Sequence, residues 1–200
     1  MKDPAYTVDC ARILDIVPML NLERKYFDAC WHSEAALICK LIEQEPMMFR
    51  VCKVNGKVKG YYWVFPLEHS IWNKIITGEM SEGELVKHIR SFDEPELYLY
   101  ISSVIVDQTD KLHKNYTKAL VYDFGRRFVL GRNNNAPDVR AIGAFTISEG
   151  GRRLMERAKF FYQGSFRAHG KEMKSWAIDC RTLAQQTISD RQQRQVRKTA

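Results

Sequence analysis

The sequence predicts an α/β domain with a parallel or mixed sheet, and three stretches carry that reading. Residues 97–107 hold Tyr98, Tyr100, Ile101, Val104, Ile105 and Val106, apolar on both faces as a central strand requires. A polar stretch, 108–115, then gives way to apolar residues at helical spacing over 116–130. Residues 139–147 form another buried strand, and Ser148 caps a short helix over 149–158. A strand–loop–helix unit followed by a strand–helix unit belongs to the α/β class.

The remaining elements follow in chain order. Ile13, Ile16, Val17, Leu20, Tyr26 and Phe27 recur at helical spacing over 11–31, with Pro18 splitting or kinking the run. Ser33 is placed to cap a second helix, 34–45, which Pro46 ends. Strands at 47–54 and 58–65 flank Asn55-Gly56, a pair that tolerates the positive φ of a type I′ turn, and Pro66 closes the second. Short helices are expected at 70–78 and 81–89, the latter opening on a Ser81/Glu84 capping box. Gly131 stops the long helix, and 160–167 with 174–179 form a final antiparallel pair. Residues 1–180 are expected to be one domain, and 181–200 a basic tail or helix.

Bulk properties narrow the function classes. Two hundred residues can bury a sizeable core, and 45% hydrophobic with 28% charged residues excludes a largely disordered chain. The net charge of +7 favours anionic partners without selecting among them. Cys10, Cys30, Cys39, Cys52 and Cys180 show no CxxC spacing and read as reduced thiols. His32, His69, His88 and His169 are isolated, so no metal is expected. Lys2, Asp3, Asp9 and Arg12 interrupt any apolar leader, and no run approaches the roughly 18 apolar residues of a membrane span. No membrane association is expected, and elimination points to the cytoplasm.

Three strings sharpen the fold. KVKGYYWVFPL, 57–67, is a strand with an internal Gly and a Pro-apolar end. LYLYISSVIVD, 97–107, is a strand ending in apolar-Val-Asp before a loop. TISEGGRRLMERAKF, 146–160, is a strand end, a helix and an exit at Ala158-Lys159-Phe160. Their order and spacing over residues 8–179 resemble the GNAT superfamily of N-acetyltransferases. The resemblance implies a mixed, mostly antiparallel central sheet flanked by helices on both sides. It also implies acetyl-CoA or another acyl-CoA as co-substrate, and direct attack of a primary amine, on a small molecule or a protein, at the thioester.

In that family a loop reading (Arg or Gln)-x-x-Gly-x-(Gly or Ala) cradles the diphosphate at a helix N-terminus. The matching residues, counted from the helix side, are Leu112, His113, Lys114, Asn115, Tyr116 and Thr117. Neither glycine is present, and one extra residue separates Asp107 from the helix. Asn115 is the next best residue for positive φ, and Lys111, His113 and Lys114 offer charge. By analogy Ile105 and Val106 supply the backbone groups for the thioester carbonyl and the pantetheine. The family's thiolate-protonating Tyr corresponds to Met155 here.

Glu68, just after the Pro66-Leu67 strand end, is the carboxylate expected to accept the amine proton, with an ordinary surface carboxylate as the alternative. Tyr100 and Ser102 share one face of the central strand, where they line the acceptor pocket or serve as plain strand residues. Two other functions fit the same residues. One is a catalytically degenerate module that contacts a protein or nucleic acid through its basic surface, although no RNA-binding motif string is present. The other is an acyltransferase whose donor is an acyl carrier protein, which the glycine-free loop accommodates. The long segment 68–96, with Trp72, is placed to form a lid or a homodimer contact.

Overall fold

The computed structural model describes residues 6–131 and 137–199, with side chains in the last helix up to Asp190 and at Gln192. Its strands form a mixed, mostly antiparallel seven-stranded sheet in the order β1-β2-β3-β4-β5-β7-β6, flanked by helices. The strands are β1 (Tyr6–Cys10), β2 (Phe49–Val54), β3 (Lys57–Leu67), β4 (Leu97–Val106), β5 (Val139–Thr146), β6 (Phe161–Ala168) and β7 (Lys171–Asp179). The helices are α1 (Ile16–Tyr26), α2 (Ala35–Gln44), α3 (His69–Thr77), α4 (Glu82–Leu85), α5 (His113–Phe124), α6 (Glu149–Arg157) and α7 (Cys180–Thr199). The chain divides into two compact units. The first holds the described residues up to Pro66 with Ile101–Gly125, and the second holds Leu67–Tyr100 with those from Arg126 onward.

In the first unit β1, β2 and β3 pair antiparallel, with Val8 opposite Cys52 and Val51 opposite Tyr61. Asn55 and Gly56 take φ of 48° and 75°, the type I′ geometry that the Asn-Gly pair predicts. Alternation sends Tyr61, Trp63 and Phe65 to one face of β3, where Trp63 stacks on Phe49 at 4.7 Å and meets Phe65 in a tilted contact at 4.9 Å. Tyr62, on the other face, meets Phe124 of α5 edge-on.

Three expectations need correction in this unit. Pro18 does not kink the first helix, because it falls in the first turn of α1, where its missing N–H has no intrahelical acceptor to lose. Ser33 does not cap α2, whose N-cap is Glu34. Its backbone N–H and hydroxyl instead both donate to the buried carboxylate of Glu23, each at 2.8 Å. A buried charge demands donors, and it outcompetes a local cap. Pro66 does not close β3, which runs on to Leu67.

In the second unit α3 ends on Gly78 at φ 79°, a left-handed cap. Ser81 and Glu84 form the expected box at α4, with Ser81 N–H donating to Glu84 Oε2 at 2.9 Å. Ser148 Oγ accepts from Gly151 N at 3.1 Å and starts α6. Helix α3 lies against β5 over the bare face of Gly143. A Cβ built there would come within 2.2 Å of Ile76 Cδ1. Three buried polar side chains of the unit are paired within it: Trp72 Nε1 donates to Leu99 O, Ser175 Oγ to Ile76 O, and Trp176 Nε1 to Thr146 Oγ1. The basic tail is helical as α7, and Asp179 Oδ1 accepts from Thr182 N at 2.9 Å at its start.

Candidate functional site

The loop after β4 is shorter than the sequence suggests, because α5 begins at His113 rather than Tyr116. His113, Lys114, Asn115, Tyr116 and Thr117 therefore occupy the first helical turn and a half, and only residues 107–112 form the connection. The early start has a local cause. Asp110 folds back on its own chain: its Oδ1 accepts Leu112 N at 2.9 Å, and its carbonyl accepts His113 N at 3.0 Å.

This connection is fastened to two neighbouring elements of the first unit. From α1, Lys25 Nζ reaches Asp107 Oδ1 at 3.0 Å and Thr109 Oγ1 at 2.9 Å. Tyr26 Oη accepts Gln108 N at 2.7 Å. From β3, Lys59 Nζ lies 2.8 Å from Asp110 Oδ2 and 3.6 Å from Asp107 Oδ2. Gly60 allows β3 and β4 to come this close. A Cβ there would stand 2.7 Å from Ile105 O and 2.8 Å from Val106 Cγ1.

The electrostatics follow from these contacts. The Thr109 hydroxyl, with Lys25, holds the Asp107 carboxyl far below the usual carboxylate range. Lys59, with the Leu112 N–H and the Tyr116 hydroxyl, lowers the Asp110 carboxyl. Lys59 is raised in turn by Asp110, and Lys25 by Asp107. Burial, then its bond to Asp110, raises the Tyr116 phenol. The backbone N–H groups of Asp107, Gln108, Thr109, Asp110, Leu112 and His113 are all already donated to protein acceptors. A diphosphate at this junction would thus meet cationic side chains more than free backbone donors. Lys111 and Lys114 are exposed, and their ammonium groups pair with no acceptor among the described residues. His113 Nδ1 lies 2.9 Å from Asp110 O, which can only accept, so Nδ1 is the donor.

The expected site residues fall into both units. Ile105, Val106 and 111–117 stand together around the β4–α5 junction of the first, with Ile105 and Tyr116 buried. Ser102 is half-buried in the same unit. Glu68 belongs to the second unit. It is exposed at the N-cap of α3, accepts from Ser70 Oγ at 2.6 Å, and borders a 380 Å³ concavity with His69, Arg90, Glu94 and Tyr98. Tyr100, also in the second unit, is fully buried and donates its hydroxyl to Glu82. Burial, then the Glu82 charge, pushes that phenol well above its ordinary value. Met155, where the family has a tyrosine, is buried in α6. Sequence reasoning missed Lys25, Tyr26 and Lys59. Their contacts with the loop span tens of residues, and no local pattern announces them.

No protein-family model matches the sequence, and no curated protein matches it. Solved structures do. The loading GNATL domain of CurA from Lyngbya majuscula is similar at a TM-score of 0.63 and 10% identity, over 89% of this chain and 99% of that one. The GphF GNAT-like decarboxylase, solved with isobutyryl-CoA, is similar at 0.63 and 11% identity, over 88% and 100%. Diaminobutyrate acetyltransferase EctA from Paenibacillus lautus, solved with L-2,4-diaminobutyric acid and coenzyme A, is similar at 0.56 and 12% identity, over 88% and 96%. At these identities the likeness establishes the fold, which is that of the GNAT superfamily.

Proposed function

We propose that this chain is an acyl-CoA-dependent N-acyltransferase that transfers an acyl group, acetyl in the first instance, to a primary amine of a small molecule or protein. The observation that carries the reading is the β4–α5 junction within a GNAT fold, where Lys111, His113 and Lys114 ring a helix start. Two of the similar folds were solved with CoA or an acyl-CoA. In the reading proposed here, the ammonium groups of Lys111 and Lys114 hold the diphosphate. Backbone at Ile105 and Val106 orients the thioester. The neutral amine attacks the thioester carbonyl, a C–N bond forms and the C–S bond breaks. A general base accepts the amine proton, directly or through water. Solvent protonates the thiolate, since Met155 cannot.

Two measurements test this together. Acetyl-CoA at 100 times its dissociation constant raises stability by about 2.7 kcal/mol, read as a rise in melting temperature. Free thiol is then released only when a primary amine is present. Neither a melting shift nor thiol release with acetyl-CoA or longer acyl-CoAs would sink the reading. Amine-independent loss of carbon dioxide from a carboxyacyl-CoA would replace it with the chemistry named for GphF.

A further inference from the structure

The exposed side of α5 carries more positive charge than a diphosphate needs. Lys114 and Lys118 lie one turn apart, and Val121 and Tyr122 continue the same face a turn later. All four are exposed, Val121 by 48% and Tyr122 by 57%. Lys111 extends the charge just ahead of the helix. Among the described residues Lys111, Lys114 and Lys118 make no ion pair, unlike Lys25 and Lys59 behind the loop, which Asp107 and Asp110 neutralise. From Lys114 to Tyr122 the stripe runs about 12 Å along the helix, ending in an apolar patch. A row of unpaired cations leading to an exposed Val and Tyr suits a protein surface of opposite charge.

The loop points the same way. Its backbone donors at Asp107, Gln108, Thr109, Asp110, Leu112 and His113 are occupied by protein acceptors, so a CoA diphosphate gains little from those. A pantetheine arm borne on a protein has a single phosphodiester and draws its affinity from the protein that carries it. We infer that the thioester donor of this chain arrives on an acidic acyl carrier protein, docked by an anionic helix along Lys111, Lys114, Lys118, Val121 and Tyr122. This rests on the acyltransferase reading for the reaction itself. The acyl carbon passes from the arm's sulfur to the amine nitrogen, and the arm's thiolate takes its proton from water. Acyl-CoA then acts as a weaker surrogate that shares the arm.

The test uses the full chain and three probes: an acetylated holo acyl carrier protein, acetyl-CoA and a short single-stranded RNA. The carrier protein binds the wild-type chain, and binding weakens about tenfold as salt rises from about 50 to about 300 mM. Lys118→Glu weakens carrier binding about tenfold or more and Lys118→Ala less, while the melting shift given by acetyl-CoA is unchanged in both. Absence of carrier binding, insensitivity to Lys118→Glu, or RNA binding this face in its place overturns the inference. If acetyl-CoA is consumed with an amine but the carrier is ignored, the docking inference falls and the acyltransferase reading stands. If the carrier docks through Lys118 and no thioester donor loses its acyl group to an amine, the reverse holds.

Discussion

Asp123 gathers three donors on one carboxylate. Arg50 Nε and Nη2 meet it at 3.0 Å each, and Tyr62 Oη at 2.7 Å. Arg50 is 3% exposed and also donates to Cys10 Sγ and Val8 O. Burial works against the guanidinium charge, yet Asp123 raises its affinity for the proton. Asp123→Ala strands that charge and is expected to cost about 3–5 kcal/mol in urea unfolding. A loss under about 1 kcal/mol would show that water reaches the pair. Asp107 and Asp110 make a different prediction. Both are depressed, so they stay ionised in the folded chain where their unfolded counterparts take up protons. Their contribution is complete above an ordinary carboxylate value of about 4 and is lost as pH falls below it toward the folded values. The melting temperature of the wild type should therefore fall more steeply from about pH 5 to about pH 3 than that of the Asp107→Asn, Asp110→Asn pair. Parallel curves would argue that neither contact persists in solution.

Among the elements, β3 and β4 set the loop's place, and Gly60 sets their spacing. Gly60→Ala pushes a methyl into Ile105 O, a backbone atom that cannot rotate away. It should cost about 1–3 kcal/mol and displace Asp107, whose N–H bonds Lys59 O at 2.8 Å. A fully stable Gly60→Ala chain would mean the strands part readily. Elements with local chemistry were legible in the sequence: the Asn55-Gly56 turn, the Ser81/Glu84 box, the Ser148 cap and the apolar run of β4. Those decided by distant partners were not. Ser33 has the form of a cap but serves Glu23. β1 is five residues with Val8 and Cys10 half-buried among exposed Tyr6, Thr7 and Asp9, so its pattern is too short to read. The β6–β7 turn takes φ of 48° at His169 and 75° at Gly170, a pairing less telling than Asn-Gly. The position of the candidate site was legible because β4 ends visibly at Asp107. Its inner fastening was not, because Lys25 and Tyr26 lie 82 residues or so before the groups they bind.

At the scale of the whole molecule, the cysteines divide usefully between the two units. Cys52 in β2 is fully buried in the first, and Cys180 at the start of α7 is 6% exposed in the second. Burial pushes both thiols up to about 11, so each reacts only when its surroundings open. Cys30 is exposed and reports the chain as it stands. Alkylation at neutral pH should thus label Cys30 first and leave Cys52 and Cys180 intact until the fold opens. The β4–α5 junction belongs to the first unit, so a donor bound there stabilises the surroundings of Cys52 directly. With acetyl-CoA at 100 times its dissociation constant, Cys52 labelling should slow by about 100-fold if opening and closing outrun the chemistry. Cys180 then reports how far that stabilisation spreads. Equal slowing means the two units open in one step, and unchanged labelling means the second opens on its own. Cys52 labelled at its ligand-free rate under saturating acetyl-CoA would remove the junction as the donor site, whatever the chain is later found to acylate.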